Sequence, residues 1–442
     1  MSGTARGETR EEAARSAGTQ PPHAGETSAR RPGSRADRLG PGFTKLWLAS
    51  SVSAVGDGMA LTAAPLLATR LTTDPRSIAA VTAALTVPYA LFGIPAGVIA
   101  DRVELRGAMA RIDWVRAALL AALTLCVAFG FGRLFLLYVC FFLVGLGETF
   151  FRNASQILVP HVVVPSGLVA ANSRQQAAQV TGNQFLGPLA GASLFALAAA
   201  APFGVDAATF LVSAVLLTTL RVSAAPARSA GLGAAPRPPL RREVFAGLAW
   251  LWRHRLLRAL SAASALINFV TTGALAVLVV EAHAALRLGD AGYGVLLAGQ
   301  AFGAVLAAKV SPGLTRRIGG EWSLVLAVLA IAAGYAGIWL LRSALVAGLA
   351  LALAACADVT WNVVVVHLRQ TLIPPRLQGR VNSVYRLVAW GAMPVGAAAA
   401  GFLAAATGAP SVFGAGALIL AAVAVPLALG ARARWFAGAV VS

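Results

Sequence analysis

Between residues 46 and 430 the chain is a near-continuous series of apolar runs, each about long enough to cross a lipid bilayer and each set off by a short polar or Pro-rich break. A bilayer core of about 30 Å needs about 20 apolar residues per helix. Inside it every backbone N–H and C=O must be paired within the segment, which leaves helices or a closed barrel. Runs of this length select helices. On that ruler spans fall near 46–67, 77–99, 110–131, 134–157, 176–199 and 203–220, then near 259–282, 291–310, 322–341, 344–367, 381–406 and 411–430. The expected fold class is an all-α polytopic membrane protein, with about twelve transmembrane helices in two pseudo-symmetric six-helix bundles at 46–220 and 259–430.

Composition agrees. Hydrophobic residues make up 58% and charged residues 12%, against about 45–50% and 25% in ordinary proteins. So few charges do not cover a soluble globule, and an ordinary soluble enzyme, a disulfide scaffold and a disordered chain are excluded. Cys126, Cys140 and Cys356 lie in apolar runs at no metal-like spacing and read as packing residues.

The formal charge is nevertheless +19, which raises the question of an anionic partner. The positions of the arginines answer it without nucleic acid. Arg102, Arg106 and Arg111, then Arg316 and Arg317, then Arg369, Arg376 and Arg380 fall in alternate loops, and the central linker holds Arg221, Arg228, Arg237, Arg241 and Arg242. The opposite loops hold only Arg70, Arg76, Arg133, Arg287 and Arg342. This asymmetry predicts a multi-pass protein of the cell (inner) membrane with both termini cytoplasmic. Residues 1–45 read as a disordered cytoplasmic tail, and 431–442 as a second. Because the apolar core starts only near Leu46, the first segment does not read as a signal peptide. The segment 221–258 reads as a cytoplasmic linker: a Pro-, Ala- and Arg-rich joint, then an amphipathic helix that combines Phe245, Trp250 and Trp252 with Arg253, Arg255 and Arg258.

The halves repeat. At an offset of about 210 residues Glu148 matches Asp358, Pro165 matches Pro375, Asn172 matches Asn382, Ser173 matches Ser383 and Gly191 matches Gly401, while Asp57 matches Asn268 at about 211. Duplicated halves of six spans are a transporter signature.

An ionisable residue inside a span costs at least a few kcal/mol in lipid, so it faces a cavity or a partner. Asp57, Glu148 with Arg152, Asn268, and Asp358 with Asn362 fall on spans 1, 4, 7 and 10. Asp57 lies about a dozen residues past Lys45, near the midplane at ~1.5 Å per residue. Glu148 and Arg152, four apart, share a helix face. Two readings stay open there: plain mutual neutralisation, or a carboxylate that takes and releases a proton as a cavity opens to either side. Asp358 could equally be held by helix–helix hydrogen bonds. The loop after span 2 carries Gly97, Asp101, Arg102 and Arg106, a charge clamp that could switch with conformation or simply mark the inner side. Span 5 carries Gly182, Gly187, Pro188 and Gly191, where glycines permit close packing and the proline removes a backbone donor. Arg174, Gln175, Gln176 and Gln179 precede it as a polar stretch. His283 and His367 read as interfacial histidines, and Trp47, Trp322 and Trp435 as interface anchors.

On these motifs the chain resembles the major facilitator superfamily over nearly all of residues 45–430, and within it the branch of multidrug and siderophore exporters that includes enterobactin-exporter-like proteins. GVIADRVELRGAM is similar to the superfamily's signature between helices 2 and 3, with Gly97, Asp101, Arg102 and Arg106 on the motif and Glu104 in place of the usual glycine. GNQFLGPLAGA resembles the antiporter motif of helix 5 at Gly182, Gly187, Pro188 and Gly191, with Ala192 where a second glycine is usual. GLGETFFRNASQILVP resembles the branch's helix 4, with Arg152 where an acidic residue is commoner. The resemblance implies two bundles rocking about a midplane site lined by helices 1, 4, 7 and 10, driven by protons.

The function expected is therefore proton-coupled efflux of small amphipathic molecules (drug, antibiotic or siderophore) by a monomer whose partners are its substrate, protons and the lipid bilayer. No cofactor is implied. A proton-coupled importer or facilitator is the alternative, and a non-transporting sensor a further one. No nucleophile–base pair, metal-ligand cluster or nucleotide-binding glycine loop speaks for an enzyme.

Overall fold

The computed structural model describes residues 39–100, 103–220, 240–374 and 377–433. Every regular element among them is helical. The order is α1 (Pro41–Leu71), α2 (Pro75–Ala100), α3 (Leu105–Ala128), α4 (Leu134–Val162), α5 (Leu168–Gln179), a π turn (Val180–Leu186), α6 (Gly187–Leu197), α7 (Ala201–Thr218), α8 (Leu240–Arg253), α9 (Arg255–Ala284), α10 (Asp290–Leu341), α11 (Ala344–Leu372), α12 (Gln378–Thr407) and α13 (Ala409–Arg432).

Among the described residues nine helices are long and apolar enough to cross a membrane. Three features bring the passes to twelve. α10 holds two passes joined at Gly319, whose φ of 80° and ψ of 160° break the helix; only glycine adopts that backbone without strain. α3 is a pass that carries Arg111, Asp113 and Arg116 within a turn and a half. α5 and α6 form one pass interrupted by the π turn. The twelve passes make two bundles of six, as the apolar runs predict.

Several boundaries differ from the sequence expectation. α1 starts at Pro41, so residues 41–45, expected in the tail, are helical. Proline at a first helical position loses no hydrogen bond and is set at a helical φ. The fifth pass starts at Leu168 rather than near 176, because its polar inner turns extend the helix beyond the apolar run. The expected break at 310–322 is helical on both sides of Gly319, for the same reason. The amphipathic helix ends at Arg253, and His254 caps α9 by accepting from Leu257 N through Nδ1 at 3.4 Å. Its Gly247 packs on α12, where a Cβ would stand 2.8 Å from Arg380 O.

The halves meet along α2 with α12 and along α6 and the π turn with α10. Small residues bring these helices close. A Cβ on Gly401 would stand 2.8 Å from that of Ala79, and one on Gly294 would stand 3.0 Å from Pro188 O. Both contacts lie toward the end where α1 finishes and α10 begins. There Arg70 Nη2 pairs with Asp290 Oδ2 across the halves at 3.0 Å, His283 Nε2 lies 3.2 Å from Asp290 Oδ1, and the Arg70 guanidinium sits 4.3 Å over the Phe195 ring. This end is closed. Toward the opposite end Arg152, Gln176, Asn362 and Arg386 are exposed.

Candidate functional site

The site grows from one arginine. Arg116, on α3, is 1% exposed and among the largest fully buried side chains of the protein. Its Nη2 lies 2.6 Å from Asp57 Oδ1 on α1 and 3.2 Å from Glu148 Oε2 on α4. Its Nη1 lies 3.4 Å from Asp113 Oδ1, one turn back on α3. The planar, always charged guanidinium suits such multiple pairing better than an ammonium would. Phe210 of α7 supports it, with the ring centroid 3.8 Å from Cζ. The approach depends on Gly147: a Cβ there would stand 2.9 Å from Arg116 Cδ.

Second partners hold the carboxylates. Ser213 Oγ of α7 donates to Asp113 Oδ2 at 2.5 Å. Ser53 Oγ donates to Asp57 Oδ2 at 3.4 Å. Glu148 Oε1 accepts from Arg152 Nη2 at 3.2 Å, which gives the i,i+4 pair the geometry its spacing predicts. Arg152 is half-exposed, and its Cζ lies 5.9 Å from the Tyr89 ring centroid. Asp206 of α7 is fully buried nearby.

A cavity of about 500 Å³ lies between the halves. Gly58, Thr62 and Asn183 line it from the N-terminal half, and Asn268, Gln300 and Asp358 from the C-terminal half. Asn268 Nδ2 also donates to Ala389 O on α12 at 3.1 Å. Asn362 donates to Asp358 Oδ2 at 3.2 Å from the next turn of the same helix.

The expected site residues therefore divide. Asn268 and Asp358 line the cavity. Asp57 and Glu148 turn into the N-terminal bundle toward Arg116, because residues 57 and 58 differ by about 100° around a helix and Gly58 takes the cavity side. Arg152 and Asn362 stand further toward the open end. Asp113, Arg116 and Asp206 were not among the expected residues, although the same signal, charge inside an apolar span, marks them at 110–131 and 203–220.

The C-terminal half has a different chemistry. Ser264 Oγ and Tyr385 Oη form a 2.5 Å hydrogen bond, and Trp361 Nε1 donates to the same Ser264 Oγ at 2.9 Å. Arg369 Nη1 donates to Asn382 Oδ1 at 3.1 Å, and its Cζ lies 3.9 Å from the Tyr385 ring centroid.

The helix 5 motif is a packing surface against α1. A Cβ on Gly187 would stand 2.5 Å from Gly58 Cα, on Gly191 2.6 Å from Met59 O, and on Gly182 3.0 Å from Val55 N. Pro188 follows the π turn, in which Gly187 N donates to Gly182 O, five residues back. Of the loop after α2, Gly97 belongs to that helix, while Asp101 and Arg102 lie outside the described residues. Arg106 donates to Leu220 O at 3.1 Å and pairs with Glu104 at 3.4 Å. Glu104 caps α3 by accepting from Gly107 N at 2.6 Å.

Comparison with known proteins gives a consistent picture. Residues 39–435 match the sequence profile described as transmembrane secretion effector. A sequence search of curated proteins gives no match. Among solved structures, the nucleoside transporter NupG superposes with a TM-score of 0.71 at 13% identity, covering 88% of this chain and 99% of that one. A bacterial homologue of the human lysosomal transporter Spinster, inward-facing and unoccupied, gives 0.66 at 17% identity over 88% and 96%. A bacterial homologue of the iron transporter ferroportin, also inward-facing, gives 0.66 at 16% identity over 87% and 98%. Identities this low carry the fold and not the substrate.

Proposed function

We propose, from the premise that the chain belongs to the transmembrane secretion effector family and is a membrane transporter of the major facilitator type, that it exports small amphipathic molecules in exchange for protons. The observation that carries this reading is the sharing of Arg116 Nη2 between Asp57 and Glu148. Two carboxylates on different passes compete for one cation beside the cavity. Protonating either one removes its charge and leaves Arg116 to the other, so a proton is converted into a displacement of α1 or α4 against α3. Both are helices whose neighbouring residues reach the cavity or its open end. The pairing also answers the energetics: each carboxylate is tolerable in a membrane only while paired or protonated.

The cavity supports an amphipathic substrate. Leu61, Leu275, Leu297 and Met393 supply apolar wall, while Asn183, Asn268 and Gln300 supply a few hydrogen-bonding groups; such a mixture suits a partly hydrophobic ligand. Asp358 is the carboxyl on the cavity wall from the C-terminal half. In this reading the end exposing Arg152 and Arg386 faces the cytoplasm, the side on which the positions of the arginines lead us to expect both termini.

The test is accumulation and susceptibility profiling of an expressing strain against dyes, antibiotics and siderophores, with and without a protonophore, followed by flux in proteoliposomes. Efflux that collapses with the protonophore and falls at least tenfold in Asp57→Asn or Glu148→Gln, at unchanged membrane abundance, is expected. Gradient-driven uptake, or normal proton-driven efflux with both substitutions present, overturns the assignment.

A further inference from the structure

Asp206 has no place in the exchange between Asp57 and Glu148, and its surroundings are unusual. It lies in the interior of α7, fully buried. Oδ1 accepts from Thr209 Oγ1 at 3.0 Å, and the same hydroxyl donates to the Asp206 backbone oxygen at 2.8 Å. Oδ2 is buried with no hydrogen-bond partner. The carboxyl is pressed against α1 at Gly56: a Cβ there would overlap Asp206 Oδ1 and Thr209 Oγ1. It thus sits beside the residue that precedes Asp57.

The charged groups around it do not balance. Asp57 faces it from α1, Arg116 from α3 and Glu148 from α4, with the Cys140 thiol of α4 also near; Asp113 pairs with the same Arg116, and Ser213 and Thr209 share the helix of Asp206. Counting Arg152, which pairs with Glu148, the group holds four carboxyls and two guanidiniums. Full ionisation would bury two uncompensated negative charges within a membrane protein, where an unpaired charge costs several kcal/mol. Asp57, Asp113 and Glu148 each lie within 3.4 Å of a guanidinium nitrogen. Among the described residues Asp206 makes no such pair, and its one side-chain donor is a neutral hydroxyl.

We propose that Asp206 is a second proton-binding site of the N-terminal bundle, one that holds its proton in the inward-open state and stands behind Gly56 as the reserve for Asp57. This rests on the reading that Asp57 exchanges protons during transport. When Asp57 is charged and paired with Arg116, Asp206 is the neutral acid. In the exchange the O–H bond on Asp206 breaks, an O–H bond forms on Asp57, and the negative charge moves from α1 to α7, with Arg116 the counter-charge for either arrangement. No other reactant is needed. The bundle then carries one proton more than the Arg116 pairs alone would require.

Infrared spectroscopy of the purified full-length protein in lipid nanodiscs tests this without any transport measurement. At pH 7 the wild type should show the carbonyl stretch of a protonated carboxylic acid, displaced in deuterated water. Asp206→Asn should remove one component of that band while leaving the melting temperature close to wild type, since an amide replaces a neutral acid. Thr209→Val should keep the component and move it to higher frequency, because the carbonyl loses its donor. A band unchanged in Asp206→Asn, or one in which Thr209→Val shifts nothing, overturns the proposal. Because these readouts need no substrate, their failure alongside intact proton-driven efflux refutes the Asp206 site alone. A band that behaves as expected in a protein without proton-driven flux refutes the exporter reading instead.

Discussion

Arg116 and Asp57 form a buried ion pair, 2.6 Å between Nη2 and Oδ1, although 59 residues separate them in sequence. Removing one partner of a buried pair strands the other. Arg116→Met should therefore destabilise the protein by about 3–5 kcal/mol, read as a lower melting temperature in detergent. Adding Asp57→Asn to Arg116→Met should recover part of that loss, because one stranded carboxylate disappears.

Arg152 should behave differently. It pairs with the same Glu148, but its side chain is 51% exposed against 1% for Arg116. Water can replace its partner, so Arg152→Gln should cost at most about 1 kcal/mol of stability. A melting comparison of the two arginine variants checks this, and equal losses would contradict the burial difference.

Close approach of α6 to α1 should be sensitive to single methyl groups. Gly187→Ala places a Cβ 2.5 Å from the Gly58 backbone, and forcing atoms into a packed interface costs about 1–3 kcal/mol. Gly391, in the interior of α12, has nothing within 4 Å of an added Cβ. Gly391→Ala should leave stability unchanged or raise it by up to ~1 kcal/mol through helix propensity. Thermal unfolding of the two variants, measured side by side, decides it.

The Arg70–Asp290 pair clasps the closed end but is partly exposed. Such pairs contribute roughly 0.2–1 kcal/mol, and 1 kcal/mol corresponds to a change of about fivefold in a two-state population. Asp290→Asn should reduce the fraction closed at this end by up to that factor. Labelling of Gln176→Cys at the open end, in a background lacking Cys126, Cys140 and Cys356, reports the shift. Exchanging the two charges, Arg70→Asp with Asp290→Arg, should restore labelling toward wild type.

Much of the architecture was legible because lipid imposes a length and a polarity on each pass. The apolar runs place the twelve passes, and the 210-residue offset places the duplication. The boundaries that moved, at Pro41, Leu168 and Gly319, are those where helix continues beyond the apolar run, and hydropathy does not register a helix in water. The Glu148–Arg152 pair was readable because four residues make one turn. The pairing of Arg116 with Asp57 was not, because it depends on how α1, α3 and α4 pack. Nor does sequence tell which side of a helix a cavity takes, so Asp57 was expected at the cavity that Gly58 lines. Asp113, Arg116 and Asp206 carried a visible signal that went unused: charges inside the apolar runs at 110–131 and 203–220.

The π turn of the fifth pass has a consequence for how that helix is used. One added residue offsets everything before it by about 100° relative to everything after it. A single straight helix would have to present Gln176 and the glycines of 187 and 191 in one fixed angular relation. With the offset, the two segments are set at separate azimuths, like two cams on one shaft. The outer segment is keyed to Gly58 and Met59 of α1, while the inner segment is tied at its own bearing, Trp47 Nε1 of α1 donating to Arg174 O and Gln175 Nε2 donating to Ser155 Oγ of α4, each at 3.1 Å.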